Sequence, residues 1–542
     1  FVGEEPVHEA YLGGATGIGK STLARITLAY QVYLLSWLRD PHWLYGHDRS
    51  TIYVFPLQSV DPAITRRVLY EPLREMFETM PFAQRHLPWN RRRTASLEFA
   101  GGIYIVPLLA NPEKLLGQTI PGAILDEVNY LRIVERSFRV AGPRGLGGRY
   151  DQAEELYREL AQRRKSRFGG SAVSIGTLIL SSSAHYEDDF LDRRMAEVEE
   201  RAEPNIVITR HRRYDVLPAD RYAGPSFRLL VGNERTQTRI LEDDEEAPEG
   251  ARVEDVPIEH RPEFRRDPDF ALRAVIGIAA GAISPFIRRR ETIAKAFELG
   301  EGLAPWVETQ EVVLARDGYP SWREDALPQD RKTPHFLHID LALSRDACGI
   351  AIIKPRGMVK LSDPESPGVF LSKPRFVVEA AIALQPSPDA EINFSKLRAW
   401  LMQLVDRHDI DFSSVTMDGY QSADTIQIFR HRGIRAEVLS VDTTPAPYET
   451  RLDCLYEERI AFVESATLRR ELSQLERDAE TGYVDHPPRG SKDVADAVAG
   501  AVFSATRSRE IRSEIGFEDE EGDPVRYRRP RPQPKRPKGR RL

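Results

Sequence analysis

Short apolar runs alternate with longer segments of helical periodicity in two parts of this chain, and between them the pattern weakens. In the first part EAYL, STIYVFPL (50–57), SLEFAGGIYIVPLL (96–109), GAIL and SIGTLIL read as buried strands, being apolar and bounded by Gly, Pro or Ser. STLARITLAYQVYLLSWL reads as a helix in which Leu23, Ile26, Leu28, Val32, Leu34 and Leu35 are frequent enough for burial. Strands alternating with helices predict a mostly parallel sheet covered on both faces, with ligands at the carboxyl ends of the strands. Past Pro204 the pattern fades, and LEDDEEAPEGARVEDVP (241–257) reads as a solvated acidic loop. From His335 it returns as strands HFLHID, CGIAIIK and RFVVEAAIAL, helix EINFSKLRAWLMQLVDRHD, strand SSVTMD, helix SADTIQIFRHRG and strand RAEVLSV, followed by helices. The expected organisation is an α/β domain at 1–203, a small linking subdomain at 204–330, a second α/β domain at 331–508 and a disordered basic tail at 509–542.

Composition adds bounds. Cys348 and Cys454 are the two cysteines, too few for a disulfide framework or a Cys-based zinc site. No apolar stretch is long enough to span a membrane, so no membrane partner is expected. The chain opens on Phe1 without a basic-then-apolar leader, which predicts a non-secreted fragment lacking its native N-terminus. Net charge is −7, yet residues 526–542 carry 9 Lys/Arg and no acid, which leaves −16 on the rest (−7 − 9). Such a tail suits contact with a nucleic acid or a partner, or serves only solubility.

GGATGIGKST (13–22) fits the spacing of a phosphate-binding loop, G-x-x-x-x-G-K-[ST], between a strand and a helix. Gly14, Gly17 and Gly19 let backbone N–H groups turn inward around phosphates, Lys20 reaches the β/γ-phosphates, and Ser21, followed by Thr22, opens the helix whose positive end faces the anion. ATP and Mg²⁺ are the implied cofactors. In GAILDEVN (122–129), Asp126 is expected to be the magnesium partner with Ser21, and Glu127 the carboxylate that activates water. Three serines end the strand SIGTLILSSS, where a side chain can sense the γ-phosphate or simply form a turn. The Arg/Gly-rich stretch 136–170 offers Arg139, Arg144 and Arg149 as equivalent candidates for an arginine finger.

In the second α/β domain Asp340 closes the first strand, Asp418 closes the fourth, and Asp493 and Asp496 lie one helical turn apart in GSKDVADAVAGAV. A strand-end or helix-start Asp is ordinary taken singly. Converging carboxylates, however, repel one another unless a cation joins them, and hard oxygen ligands suit Mg²⁺ or Mn²⁺, two of which can cleave a phosphodiester.

GGATGIGKST, ILDEVN, the serine strand end, HIDLALSRDACGI, VTMDGYQSAD and GSKDVADAVAG together resemble the large terminase subunit of tailed double-stranded DNA viruses. The resemblance spans nearly the whole chain except the tail, and DVADA is also similar to the last acidic motif of Holliday-junction resolvases. It implies an ASCE-type packaging ATPase joined to an RNase H-like nuclease whose metal ligands are Asp340, Asp418 and Asp493 or Asp496. It further implies double-stranded DNA as substrate, a portal protein and a small terminase subunit as partners, and a homo-oligomeric ring. The implied place is the host cytoplasm, transiently at the portal vertex of a procapsid. Two other readings stay open: a cellular ATP-dependent nuclease or helicase of repair or defence, and a motor whose RNase H-like domain is a non-catalytic DNA or portal clamp.

Overall fold

The computed structural model describes residues 6–108, 117–137, 148–168, 175–222, 224–233, 236–279, 282, 284–328, 333–341, 347–362, 369–386, 392–419, 422–478, 481–488, 490–508, 511 and 516–519. They form two compact units, Phe1–Pro285 with His486–Gly490, and Phe286–Asp485 with Ser491–Leu542.

The first unit is built on seven strands: β1 (Glu9–Gly14), β2 (Tyr53–Gln58), β3 (Leu97–Phe99), β4 (Ile103–Pro107), β5 (Ala123–Asp126), β6 (Leu178–Ser181) and β7 (Ile206–His211). Their order is β3-β4-β2-β5-β6-β1-β7, parallel except for β3 against β4. The loop-bearing strand β1 and the acid-bearing strand β5 are thus separated by β6, which is the ASCE arrangement. Strands β5 and β6 are buried throughout because both faces are covered. On one face α1 (Lys20–Trp37) packs Leu28, Val32 and Leu35 against Ile124 and Ile179. On the other, α2 (Gln152–Phe168) and α3 (Phe190–Arg201) bring Leu156, Leu160 and Met195 against Tyr11, Leu125 and Leu180.

The second unit is organised by β8 (His335–Asp340), β9 (Cys348–Ser362), β10 (Val369–Gln385), β11 (Phe412–Met417) and β12 (Ala436–Val438), in the order β10-β9-β8-β11-β12. Strand β9 runs antiparallel to β8 and β10, whereas β8, β11 and β12 are parallel. This is the RNase H-like order, first strand at the centre. Alternation along β8 sends Leu337 and Ile339 to a core under helices α4 (Phe394–Asp406) and α5 (Ala423–His431). Phe336 points the other way, into a core shared with α6 (Ala446–Tyr456), α7 (Ala466–Gln474) and α8 (Asp493–Arg507).

Five sequence expectations need correction. The run 96–109 is two strands, β3 and β4, folded back through Gly101 and Gly102, both at positive φ. Helix α1 is buried on one side only, leaving Leu23 and Ile26 exposed. The linking region 204–330 has a three-stranded sheet and an apolar core of its own, around Phe227, Leu229, Phe264 and Leu272, but does not keep its expected bounds. Its start supplies β7, which pairs with β1 along its full length, and its end supplies the strand Glu311–Val313, which pairs with β10. Segment 241–257 is not all loop, since Val253–Pro257 is a strand paired with Ser226–Leu230. Among the described residues no helix is long and apolar enough to cross a membrane. Of the tail expected to be disordered at 509–542, Gly516–Asp519 is a strand paired with the start of β10, and residues 520–542 lie outside the described residues, as do Arg139, Arg144 and the side chain of Arg149.

Candidate functional sites: a phosphate loop and an acid cluster

At the carboxyl end of β1 the chain enters the loop through Gly14 at φ 109°, where a Cβ would stand 2.4 Å from the His211 carbonyl oxygen. Gly17 and Gly19 also have positive φ, and there the backbone conformation itself is what selects glycine. The loop is fastened by Ala15 N–H to the His211 carbonyl (2.9 Å) and Thr16 N–H to the Ala274 carbonyl (3.0 Å). Arg213 Nη2 donates to that same Ala274 oxygen at 3.0 Å. Lys20 Nζ donates to Ala15 O (2.6 Å) and Ser183 Oγ (3.1 Å). Burial lowers its pKa, while Glu127 and Asp126 oppose the shift. Ser21 Oγ donates to Asp126 Oδ2 at 3.0 Å, and Ser181 Oγ donates to Asp126 Oδ1. Burial raises the Asp126 pKa against those two hydrogen bonds and Lys20. The Thr22 hydroxyl instead accepts from Arg25 at the surface.

Glu127 sits at φ 53°, a left-handed conformation costing of order 1–3 kcal/mol for a non-glycine residue. That turn brings its carboxylate to Ser183 N–H (3.3 Å) and Ser182 Oγ (3.4 Å). Burial first, and then the charge of Asp126, raise its pKa. All three serines at the end of β6 therefore touch Lys20, Asp126 or Glu127. Asn129, which the sequence reading passed over, ties the same corner together by donating to Ser183 O at 3.3 Å and accepting from Leu191 N–H at 3.1 Å.

In the second unit β8 and β11 run side by side with Ile339 opposite Met417, so Asp340 and Asp418 follow in adjacent positions. Alternation puts both on the face that carries α8: His338 bonds Thr416 Oγ1 at 2.8 Å beneath that helix, and Ser414 meets Ser504 of α8. Two glycines let the helix close down. A Cβ on Gly500 would be 2.5 Å from the His338 ring, and one on Gly349, opposite Asp340 in β9, would be 1.9 Å from the Asp493 carbonyl oxygen. Asp493 is the first residue of α8, following the cap residue Lys492, and its Oδ2 accepts from Ser491 Oγ at 2.9 Å. Glu471 of α7 caps the helix from outside, taking Ala495 N–H at 2.8 Å, and burial pushes its carboxyl up to about 7.

Asp496 is buried with both oxygens engaged. Tyr448 donates to Oδ1, and Lys492 Nζ lies 3.1 Å from Oδ2. Lys492 also pairs with Asp442, just past β12, and approaches Tyr448 Oη at 3.3 Å. Burial raises Asp496 to about 6. Burial, and then Asp496, Asp493 and Asp442, hold Asp340 well above the usual carboxylate range, with Lys492 opposing. Asp442, Lys492, Tyr448 and Glu471 were all missed from sequence. Asp442 carried the same signal as Asp340 and Asp418, an acid directly after an apolar run.

Among the described residues no three His, Cys, Asp or Glu side chains converge closely enough to grip a metal ion as they stand. The donor set nonetheless fits a divalent cation. The oxygens are hard, and Asp340 sits in a crowd of acids whose repulsion a cation would relieve. In the first unit the fit is closer, because Ser21 and Asp126 already meet beside Lys20 at the mouth of the glycine loop.

No family model matches the chain, and no curated protein is similar to it in sequence. Among solved structures it is similar to the large terminase of bacteriophage HK97, at 14% identity over 92% of this chain and 91% of that one, TM-score 0.40. It is also similar to the large terminase of a thermophilic bacteriophage in complex with ADP, at 12% identity over 92% and 94%, TM-score 0.30. The large terminase nuclease of thermophilic phage G20c with bound magnesium matches 41% of this chain and 97% of its own at 14% identity, TM-score 0.27. Likenesses this remote concern the course of the chain. The strand orders and side-chain distances of the two sites stand independently of them.

Proposed function

We propose that this chain is a viral DNA-packaging motor of the large-terminase kind, which hydrolyses ATP to move double-stranded DNA into a procapsid and cuts concatemeric DNA. The observation that carries the reading is the pairing, in one chain, of a glycine loop whose Ser21 meets Asp126 at 3.0 Å with an RNase H-like sheet whose adjacent parallel strands end in Asp340 and Asp418. In the first centre Gly14, Gly17, Gly19, Lys20 and the backbone of Thr22 would line the phosphates, and Ser21 and Asp126 would hold the nucleotide's magnesium. Glu127 orients the attacking water and takes its proton, and the serines of β6 register whether the γ-phosphate is present. In the second centre Asp340, Asp418 and Asp493 would hold Mg²⁺ or Mn²⁺, with Asp496 behind them. Bound magnesium supplies charge neutralisation at the transferred phosphoryl group and Lewis acidity at the scissile phosphodiester.

The motor acts as a homo-oligomeric ring on the portal protein at the procapsid vertex, in the host cytoplasm, with a small terminase subunit delivering DNA. Its contacts with the duplex are mostly to phosphates and therefore salt-sensitive. One rival is a domain that clamps DNA without cutting it. A pair of variants tests the reading. Lys20→Ala should abolish ATP hydrolysis and leave Mn²⁺-dependent plasmid cleavage intact. Asp340→Asn should do the reverse. No Mn²⁺-dependent cleavage by the wild type would support the clamp, and cleavage at the wild-type rate by the Asn variant would remove Asp340 from the cutting centre.

A further inference from the structure

The acid cluster of the second unit contains a cation of its own. Lys492 immediately precedes Asp493 and caps α8, so its side chain is delivered to the cluster by the same helix start that delivers Asp493 and Asp496. The ammonium has three N–H donors and faces three acceptors: Asp496 Oδ2 at 3.1 Å, Asp442 Oδ1, and Tyr448 Oη at 3.3 Å. Its side chain is 12% exposed, whereas Asp442 at 65% opens to solvent. A second cation on this side would have to share Asp496 and Asp442 with a charge already in contact with both, and would be repelled by it at short range. The remaining oxygen of Asp496 is taken by Tyr448. Asp418 stands beside Asp340, in register on the adjacent parallel strand, with its carboxylate Oδ1 accepting from Gly419 N–H at 2.7 Å.

Resting on the metal-dependent nuclease reading above, we propose that the Lys492 ammonium takes the place of one of the two metal ions such a cluster of acids would otherwise hold. The centre then binds a single divalent cation, on the side where Asp340 meets Asp418. The two cations of the cleaving centre are one metal ion and one lysine. Asp442 and Asp496 anchor the lysine and do not bind metal. Lys492 is therefore a charge-compensating, positioning residue, and it sets how many ions the site accepts.

The number of bound Mn²⁺ ions decides this, counted on the full chain without nucleotide by titration calorimetry and by the electron paramagnetic resonance signal of free Mn²⁺. Any ion at the phosphate loop cancels when Asp340→Asn is subtracted. Wild type minus Asp340→Asn should be one ion. Lys492→Met, of similar length and uncharged, should bind one ion more in total than the wild type, the phosphate loop being the same in both. Lys492→Arg should bind the same number as the wild type. A wild-type difference of two, an extra ion in Lys492→Arg, or a total unchanged from wild type in a folded Lys492→Met, overturns the proposal. If Lys492→Met does not fold, the wild-type count still decides. A wild-type difference of zero would instead remove the metal role of Asp340, and with it the nuclease reading on which this rests.

Discussion

Gly349→Ala is the sharpest test of how the fold positions the second centre. Gly349 lies in β9 between Asp340 and Ala383, paired on both sides. The backbone there cannot move without disturbing two neighbouring strands. A Cβ would stand 1.9 Å from the Asp493 carbonyl oxygen, 2.4 Å from its carbon and 3.0 Å from Val494 N. Ordinary nonbonded contact is about 3.5 Å, so the first turn of α8 has to retreat by about 1.6 Å (3.5 less 1.9). That turn carries Asp493, Asp496 and Lys492. Overpacking of this kind costs about 1–3 kcal/mol, and a displacement of about 1 Å in a reacting group costs about 10²-fold in rate. Gly349 is not among the residues at positive φ, so alanine is conformationally acceptable there. By itself the swap would stabilise by about 0.4–1 kcal/mol through the unfolded chain, so a loss is attributable to the contact. The expected result is plasmid cleavage down about 100-fold, a lower melting temperature, and unchanged ATP hydrolysis. Cleavage within about twofold of wild type with an unshifted melt would refute the claim that helix-to-strand approach at Gly349 sets the geometry of the acids; at about 1.4 kcal/mol per tenfold, so small a change leaves no room for the displacement.

Glu127→Gln should keep nucleotide binding, because Lys20, Ser21 and Asp126 are untouched, and lose about 10²–10⁴-fold in turnover; equilibrium ATP binding beside steady-state phosphate release checks both halves. In EDTA the stability of the protein should fall as pH rises from about 5 to about 8. Asp496 at about 6 and Glu471 at about 7 hold their protons more tightly folded than unfolded, so their contribution is complete below about pH 4 and is lost as pH climbs through the folded values, on the order of 3 kcal/mol each. Glu471→Gln should flatten the upper part of that slope in urea melts at pH 5 and pH 8; an unchanged slope would assign it elsewhere. Deleting residues 526–542 should weaken duplex binding most at low salt and leave both activities on saturating DNA unchanged, as measured by a salt titration of affinity.

The first centre was legible because its chemistry is compressed into a few short runs. Glycines at fixed spacing, Lys20 and Ser21 come from one loop, and Asp126 and Glu127 end one strand. Only the strand order was hidden: nothing in the sequence says that β6 inserts between β1 and β5, which is what brings Ser181, Ser182 and Ser183 onto Asp126 and Glu127. Boundaries failed where strands were short or lay outside the core. Strand β9 was read only over CGIAIIK, to Lys354. The ladder with β10 instead continues past a register shift to Ser362, and beyond Lys354 its residues are mostly half-buried or exposed, so no apolar signal marks it. The strand Glu311–Val313 has only 3 residues and cannot show a period of two.

The second centre shows a different limit. Reading acids one motif at a time treats every carboxylate near a strand end as waiting for a metal, and by that rule Asp340, Asp418, Asp493 and Asp496 look alike. They differ by what reaches them. Asp340 and Asp418 stand on neighbouring strands, while Asp496 is enclosed by Tyr448 from α6 and Lys492 from its own helix. Asp442, in the loop that follows β12, is drawn to the same lysine. The deciding residue is thus a basic one written directly beside the acids, in GSKDVADA, and its effect depends on the close approach of α8 to β9 at Gly349 and to β8 at Gly500. Charge balance in such a cluster belongs to the packing of a helix on a sheet. The sequence states the charges, and only the approach of the two elements decides which of them a metal ion can still neutralise.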